Sequence, residues 1–263
     1  MNCKNCNITL SENSDYCNAC GGKVIRNRLT FKNLFEHISE TFFNYDNKLL
    51  RTIIDLFKKP EAVIVSYIEG VRKRYVNPIS FFGVALTLSG LYVLVLNKFF
   101  PEVMDFSAIT PKGQEEMQQR NMSFIQEYQS IVMMLYVPIY ALIAKLTFIG
   151  LKKFNYTEMV VVFMYIQAQI SVVSAVIVII GAFFGITYGV MSLFLLPLMI
   201  LYSAYCLQRI YRLSLKHLLL RGLLFIFILM LFFIALSIGM FVIMYLNGDF
   251  QQMIETQKAA QGA

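Results

Sequence analysis

Apolar positions along this chain follow two rhythms. Downstream of residue 78 they run on almost without a break, in stretches at 78–100, 128–151, 157–184, 190–207 and 218–246. At 1.5 Å per helical residue, each covers most or all of the ~30 Å hydrocarbon core of a bilayer, so each is a predicted transmembrane helix. Upstream, apolar residues recur every third or fourth position instead: Phe31, Leu34, Phe35, Ile38 and Phe42, then Leu49, Leu50, Ile53, Ile54 and Phe57. That spacing predicts short amphipathic helices, with Thr30 and Asp46 as N-caps. Lys58 and Lys59 close the second helix before Pro60. The proline suits the first turn of a third helix, 61–69, which Gly70 stops. These helices are too short to span. Their apolar faces are expected to settle on the headgroups beside a basic flank; packing into a small helical domain is the alternative. His37 beside the stripe reads as a solvated or packed histidine.

Composition and charge sharpen that picture. Of 263 residues, 57% are hydrophobic, and mean hydropathy is +0.60, far above an ordinary soluble domain. The net charge of +7 would suit nucleic acid if it covered one soluble face. Instead lysine and arginine gather at 23–32, 72–74, 152–153 and 209–221, the flanks of the apolar runs. This is the positive-inside pattern of a multi-pass protein, and it argues against nucleic acid as a partner. With Arg72, Lys73 and Arg74 in the cytoplasm, the acidic loop 101–127 and the polar tail 248–263 fall outside, while 152–153 and 208–217 fall inside. The expected arrangement is N-terminus in and C-terminus out, in a bacterial cytoplasmic (inner) membrane. The chain has no tryptophan. Tyrosines, among them Tyr75, Tyr92, Tyr128 and Tyr188, are the expected interfacial aromatics.

Four of the five cysteines lie in the first 20 residues, as Cys3-Lys4-Asn5-Cys6 and, ten residues on, Cys17-Asn18-Ala19-Cys20-Gly21-Gly22. No apolar signal segment precedes them, so the thiols are expected to stay in the reducing cytosol and to bind metal rather than form disulfides. Two C-x-x-C knuckles bring four thiolates to one tetrahedral zinc. So small a module has almost no apolar core, and metal binding would supply most of its folding free energy. With all four positions held by Cys3, Cys6, Cys17 and Cys20, the zinc reads as structural, a docking tag or stabilising cap. An iron–sulfur cluster or a redox dithiol pair are the other readings. The module resembles the short zinc ribbons at the N-termini of many bacterial membrane proteins, with Asn7 standing where a glycine often follows the first knuckle.

The predicted fold is therefore an all-α polytopic membrane protein: five transmembrane helices preceded by amphipathic helices and a small zinc ribbon. The divisions fall at 1–25 (ribbon), 26–77 (cytoplasmic amphipathic segment), 78–247 (membrane domain) and 248–263 (extracytoplasmic tail).

The most distinctive sequence lies between ribbon and membrane. It reads Tyr45-Asp46-Asn47-Lys48-Leu49-Leu50-Arg51-Thr52, then Leu56-Phe57-Lys58-Lys59-Pro60, then Tyr67-Ile68-Glu69-Gly70-Val71-Arg72-Lys73-Arg74-Tyr75-Val76-Asn77-Pro78. This block resembles an uncharacterised family of bacterial integral membrane proteins that pair an N-terminal zinc ribbon with a D…T…L…P…Y-x-x-G-x-R-x-R-Y-x-x-P pattern and several spans. Val71 departs from the basic residue typical there. The resemblance implies the architecture and no activity. The five-span layout is also similar in topology to the Yip1-type membrane proteins.

Within the spans, Gln167, Ser171 and Ser174 share one face at i, i+4 and i+7. They serve as interhelical hydrogen-bond partners or line a polar cavity. Lys145 is the most embedded charge, and its stem can snorkel to the cytoplasmic surface six residues away. Gly181, Gly185 and Gly189, spaced by four, suit either close helix packing or a tight turn, and Cys206 reads as a small hydrophobe. Phosphate loops, metalloprotease helices and nucleophile elbows are all missing from the chain. The expectation is a non-enzymatic scaffold or adaptor in contact with the lipid bilayer. Anionic lipid headgroups at Arg72–Arg74 and an unidentified cytosolic protein are the further partners. The alternative is a small transporter or lipid-handling protein.

Overall fold

The computed structural model describes residues 2–11, 14–22, 24, 48–106, 127–151 and 153–247. The sequence expectations for the stripe Phe31–Phe42, His37, Asp46, Lys152, much of the 101–127 loop and the tail lie outside these. The chain divides into two compact units, Met1–Asn47 and Lys48–Ala263.

The larger unit is all-helical among the described residues. Two short helices, α1 (Lys48–Lys58) and α2 (Pro60–Ile68), precede five long ones: α3 (Pro78–Phe99), α4 (Gln129–Thr147), α5 (Tyr156–Phe183), α6 (Tyr188–Tyr211) and α7 (Leu215–Asn247). All five long helices are apolar and long enough to cross a membrane. Large apolar side chains such as Ile79, Leu94, Phe194 and Leu201 point outward. An apolar surface so extensive belongs against lipid, and the chain is a multi-pass membrane protein.

Local chemistry sets most helix ends. Asn77 caps α3, its Oδ1 accepting from the Ser80 amide at 2.8 Å, with Pro78 in the first turn. Asn155 and Glu158 form a capping box at the start of α5. Gly70 (φ +99°) and Gly185 (φ +69°) end α2 and α5 in left-handed turns, each with paired bonds back into the last helical turn. Gly185 thereby serves the turn. Gly181 serves a close approach within the chain, because a Cβ there would collide with the Met191 sulfur of α6.

α5 is the centre of the bundle. It runs parallel to α3, as shown by Phe81 against Tyr165, Ser89 against Ser171 and Phe100 against Phe183, pairs of nearly constant sequence offset. At one end of the bundle, basic side chains cover carbonyls near helix C-termini: Arg221 donates to Thr147 of α4 and Lys153 to Ile210 of α6. α4 stops at Thr147, and a 3-10 turn at Ile149–Leu151 carries the chain on to the expected 151; Phe148 between them stacks on Tyr211 at 4.5 Å. α7 meets its neighbours through its first turns, with Arg221 over Phe148 and Phe225 against Tyr140. None of its apolar window 215–239 is buried.

α1 and α2 form a hairpin seated on this bundle. Thr52, Leu56, Val63 and Ile64 are fully buried, the last three in one cluster with side chains of α3, α5 and α6. The apolar faces of these two helices thus have a protein partner, the bundle itself.

Candidate functional site

In the N-terminal unit the two knuckles adopt the same local fold. The Cys3 amide donates to Ile8 and the Asn7 amide to Cys3; the Cys17 amide donates to Gly22 and the Gly21 amide to Cys17. Corresponding distances are equal, 2.8 and 2.9 Å. Both loops need one left-handed residue after the second cysteine. Gly21 takes it at φ +70° and Asn7 at φ +58°. Asparagine is among the few side-chain-bearing residues that tolerate this region, so the departure at Asn7 costs the knuckle little.

The loops converge their sulfurs. Cys3 and Cys20 Sγ are 3.7 Å apart, Cys6 and Cys17 Sγ are 3.5 Å apart, and all four lie within 4.8 Å of one another. Thiolates around a metal at bond lengths of ~2.3 Å form a tetrahedron of ~3.8 Å edge. The same separations are far beyond the ~2.05 Å of a disulfide, and the thiols are free. Backbone amides of Asn5 and Cys6 hold the Cys3 thiol below its usual value. The Asn5 side chain and the Gly22 amide bring Cys20 down to about 6. At Cys6 the Ile8 amide also favours the thiolate, but the crowding sulfurs of Cys20, Cys17 and Cys3 outweigh it and push the thiol up to about 12. N–H donors aimed at sulfur are what a thiolate cluster requires, and a bound cation would replace the mutual repulsion with attraction. Among the described residues, the apolar side chains packed on the sulfurs are Leu10 and Val24, too little for a core of its own. The four cysteines can therefore bind a metal ion.

The membrane unit holds the other sequence-derived residues. Arg72, Lys73 and Arg74 lie exposed on the turn between α2 and α3. Arg72 stands over the Tyr67 ring at 5.5 Å and Arg74 over Tyr75 at 5.4 Å. Lys145 donates to the Phe154 carbonyl in the loop at the basic end of the bundle. Ser171 bonds Ser89 of α3 at 2.6 Å. Gln167 and Ser174 are half-buried on the same face, and nothing gathers Lys145, Gln167, Ser171 and Ser174 into one site. Tyr92, expected at an interface, is instead buried and accepts from Gln129 at 2.6 Å.

A second polar network was not foreseen. The Val76 backbone is held on both sides: its amide donates to Thr52 of α1 at 3.1 Å, and its carbonyl accepts from Tyr165 of α5 at 2.7 Å. Tyr75 donates to Asp55 at 2.8 Å. Gln169, fully buried on α5, donates to the Ile53 carbonyl at 3.1 Å, and Tyr202 of α6 donates to Leu56 at 3.1 Å. Arg209 clasps both carboxylate oxygens of Glu61, at 3.1 and 2.6 Å. Thr52, Leu56, Pro60, Gly70 and Tyr75, residues of the sequence block singled out above, thus seat the hairpin. The one sequence signal for part of this was Pro60, which announces a missing amide without naming the donor that replaces it.

A family model described as "Protein of unknown function (DUF3667)" matches residues 46–90, the stretch from the start of α1 to the middle of α3. No curated protein and no solved structure matches the chain. The likeness to Yip1-type proteins accordingly rests on the number of spans alone.

Proposed function

We propose that this chain is a non-enzymatic membrane adaptor, a zinc ribbon carried on a five-span anchor. The observation that supports it most is the closed set of four thiols, Cys3, Cys6, Cys17 and Cys20, in a unit separate from the membrane helices. A zinc ion in this donor set would supply cross-linking of the two knuckles, with no coordination position left for a substrate. What the chain itself offers is a rigid display of the knuckle loops, with Tyr16 and Ile8 exposed for a cytosolic protein.

The orientation follows from chemistry at both ends of the argument. Cytosolic thiols stay reduced, and the basic end of the bundle belongs in the cytoplasm. This puts the N-terminus inside and the C-terminus outside a bacterial cytoplasmic membrane, with anionic headgroups near Arg72, Lys73 and Arg74. The ribbon at 1–25 and the membrane domain are kept as read from the sequence, with α1 and α2 joined to the membrane domain rather than to a separate cytoplasmic segment. The adaptor reading is preferred to transport because Ser171 is spent on Ser89 and Gln129 on Tyr92, a use of polar groups that holds helices together.

Elemental analysis of purified chain should find one zinc per molecule. Cys17→Ser should lose it, together with protease resistance of the first 24 residues, while the unfolding of the membrane unit stays unchanged. Iron in place of zinc, or full metal content in Cys17→Ser, would overturn the assignment. Lipid or solute movement by proteoliposomes of a chain lacking the ribbon would favour transport over adaptor.

A further inference from the structure

We propose that α1 is an interfacial helix that recruits anionic phospholipid to the basic end of the bundle. The proposal rests on the membrane reading above and extends the headgroup contact from Arg72, Lys73 and Arg74 to α1. The helix has three sectors. Thr52 and Leu56 face the bundle and are fully buried. On the next sector Leu50, Ile54 and Phe57, at i, i+4 and i+7, are 52%, 40% and 45% exposed. Lys48, Arg51 and Lys58 fall on the third. A helix packed on protein and otherwise in water has no use for the middle sector; one floating on headgroups has no use for the first. All three are used where protein, acyl chain and headgroup meet.

The depth of α1 agrees. Gln169, which reaches the Ile53 carbonyl, lies 14 residues before Phe183 at the far end of α5 (183 − 169), or ~21 Å by helical rise. With the far edge of a ~30 Å hydrocarbon core set at Phe183, level with the end of the shorter α3 at Phe100, the core closes ~9 Å beyond Gln169, within the ~5–10 Å depth at which interfacial helices sit. The Arg209–Glu61 pair lies further out along α6 than the Tyr202 contact with Leu56, where charge meets headgroups and water.

The charge balance selects the headgroup. Residues 48–77 carry seven basic and three acidic side chains. Two of the acids are engaged, Asp55 by Lys59 and Tyr75, and Glu61 by Arg209. Arg72 and Arg74 stand over tyrosine rings and are exposed, so their guanidinium groups are open to phosphate.

The chain contains no tryptophan, so Phe57→Trp creates a single fluorescent reporter in the full protein. In bilayers of phosphatidylcholine with a minority of phosphatidylglycerol, bromine near the glycerol end of the acyl chains should quench Trp strongly and aqueous iodide weakly. Bromine carried on phosphatidylglycerol should quench about fivefold more per mole than on phosphatidylcholine, the enrichment expected of one lysine or arginine near the surface. Replacing Lys48, Arg51 and Lys58 with glutamine should lower that ratio at least about twofold, and raising the salt should bring the two lipids towards parity, while shallow quenching persists, which shows the variant still seated. Parity with the basic residues intact overturns the proposal. So does quenching by iodide alone, or shielding from both quenchers, which would mean that protein covers the stripe. Leu231→Trp on the exposed side of α7 reports the spans separately; if bromolipid leaves it unquenched, the membrane reading itself falls.

Discussion

Pro60 opens a gap in the hydrogen bonding of α1, and Tyr202 fills it. The Lys59 amide closes on Asp55 at 2.7 Å, and the next amide, which would serve the Leu56 carbonyl, is missing because residue 60 is proline. Leu56 is fully buried, so water cannot take its place. The Tyr202 hydroxyl does, at 3.1 Å, from a helix 146 residues away in sequence. Tyr202→Phe deletes that donor and keeps the ring, which meets Phe57 edge-on at 5.7 Å. An orphaned buried carbonyl costs ~1–3 kcal/mol, so the variant should lose about 2 kcal/mol of stability. Tyr205→Phe is the matched control. Its hydroxyl serves the Phe57 and Lys58 carbonyls at 3.0 and 3.2 Å, but at an exposed site where water can substitute, and its loss should cost less than about 0.5 kcal/mol. Reversible unfolding in mixed micelles, titrated with a denaturing detergent, measures both. Equal losses for the two variants would refute the idea that Pro60 creates the need for Tyr202.

Other consequences are open to the same assay. Gly70→Ala should cost about 1 kcal/mol although nothing lies within 4 Å of the added Cβ, because φ of +99° strains any L side chain; no loss would mean the turn has another low-energy form. At Glu61, burial raises the carboxyl pKa, but the hydrogen bond and charge of Arg209 outweigh it and the net shift is downward. A lowered folded value means the stabilisation is complete above the unfolded carboxyl value of ~4.3 and is lost as pH falls below it. Stability from this pair should therefore hold from neutral pH to about 5 and decline below about 4.5, with Glu61→Gln making that acid limb shallower; an unchanged limb would place its origin elsewhere. Gln169→Leu should change stability by less than about 1 kcal/mol, since it removes the buried Oε1 that has no partner among the described residues together with the Nε2 bond to Ile53, and the two effects oppose each other. A loss above about 2 kcal/mol would show that the bond to Ile53 outweighs the orphaned oxygen.

How much of this was legible in the sequence depends on whether the cause was local. The five spans could be read directly, because a bilayer demands about 20 consecutive apolar residues whatever the rest of the chain does. The thiol cluster could be read too, because two C-x-x-C loops bend their own sulfurs together through bonds within each loop. Gly70, Pro60 and Pro78 act on the adjoining backbone, and each sits where its side chain predicts. Tertiary structure alone decided which faces meet. A helix apolar all round carries no periodicity to separate inside from outside. The sequence therefore pointed to Gln167 while the fully buried amide is Gln169, two residues on. The seating of α1 and α2 on α5 and α6 was equally hidden, because an amphipathic face reads the same whether it lies on headgroups or on protein. Only donors brought in from distant helices, Tyr165 to Val76 and Tyr202 to Leu56, distinguish the two.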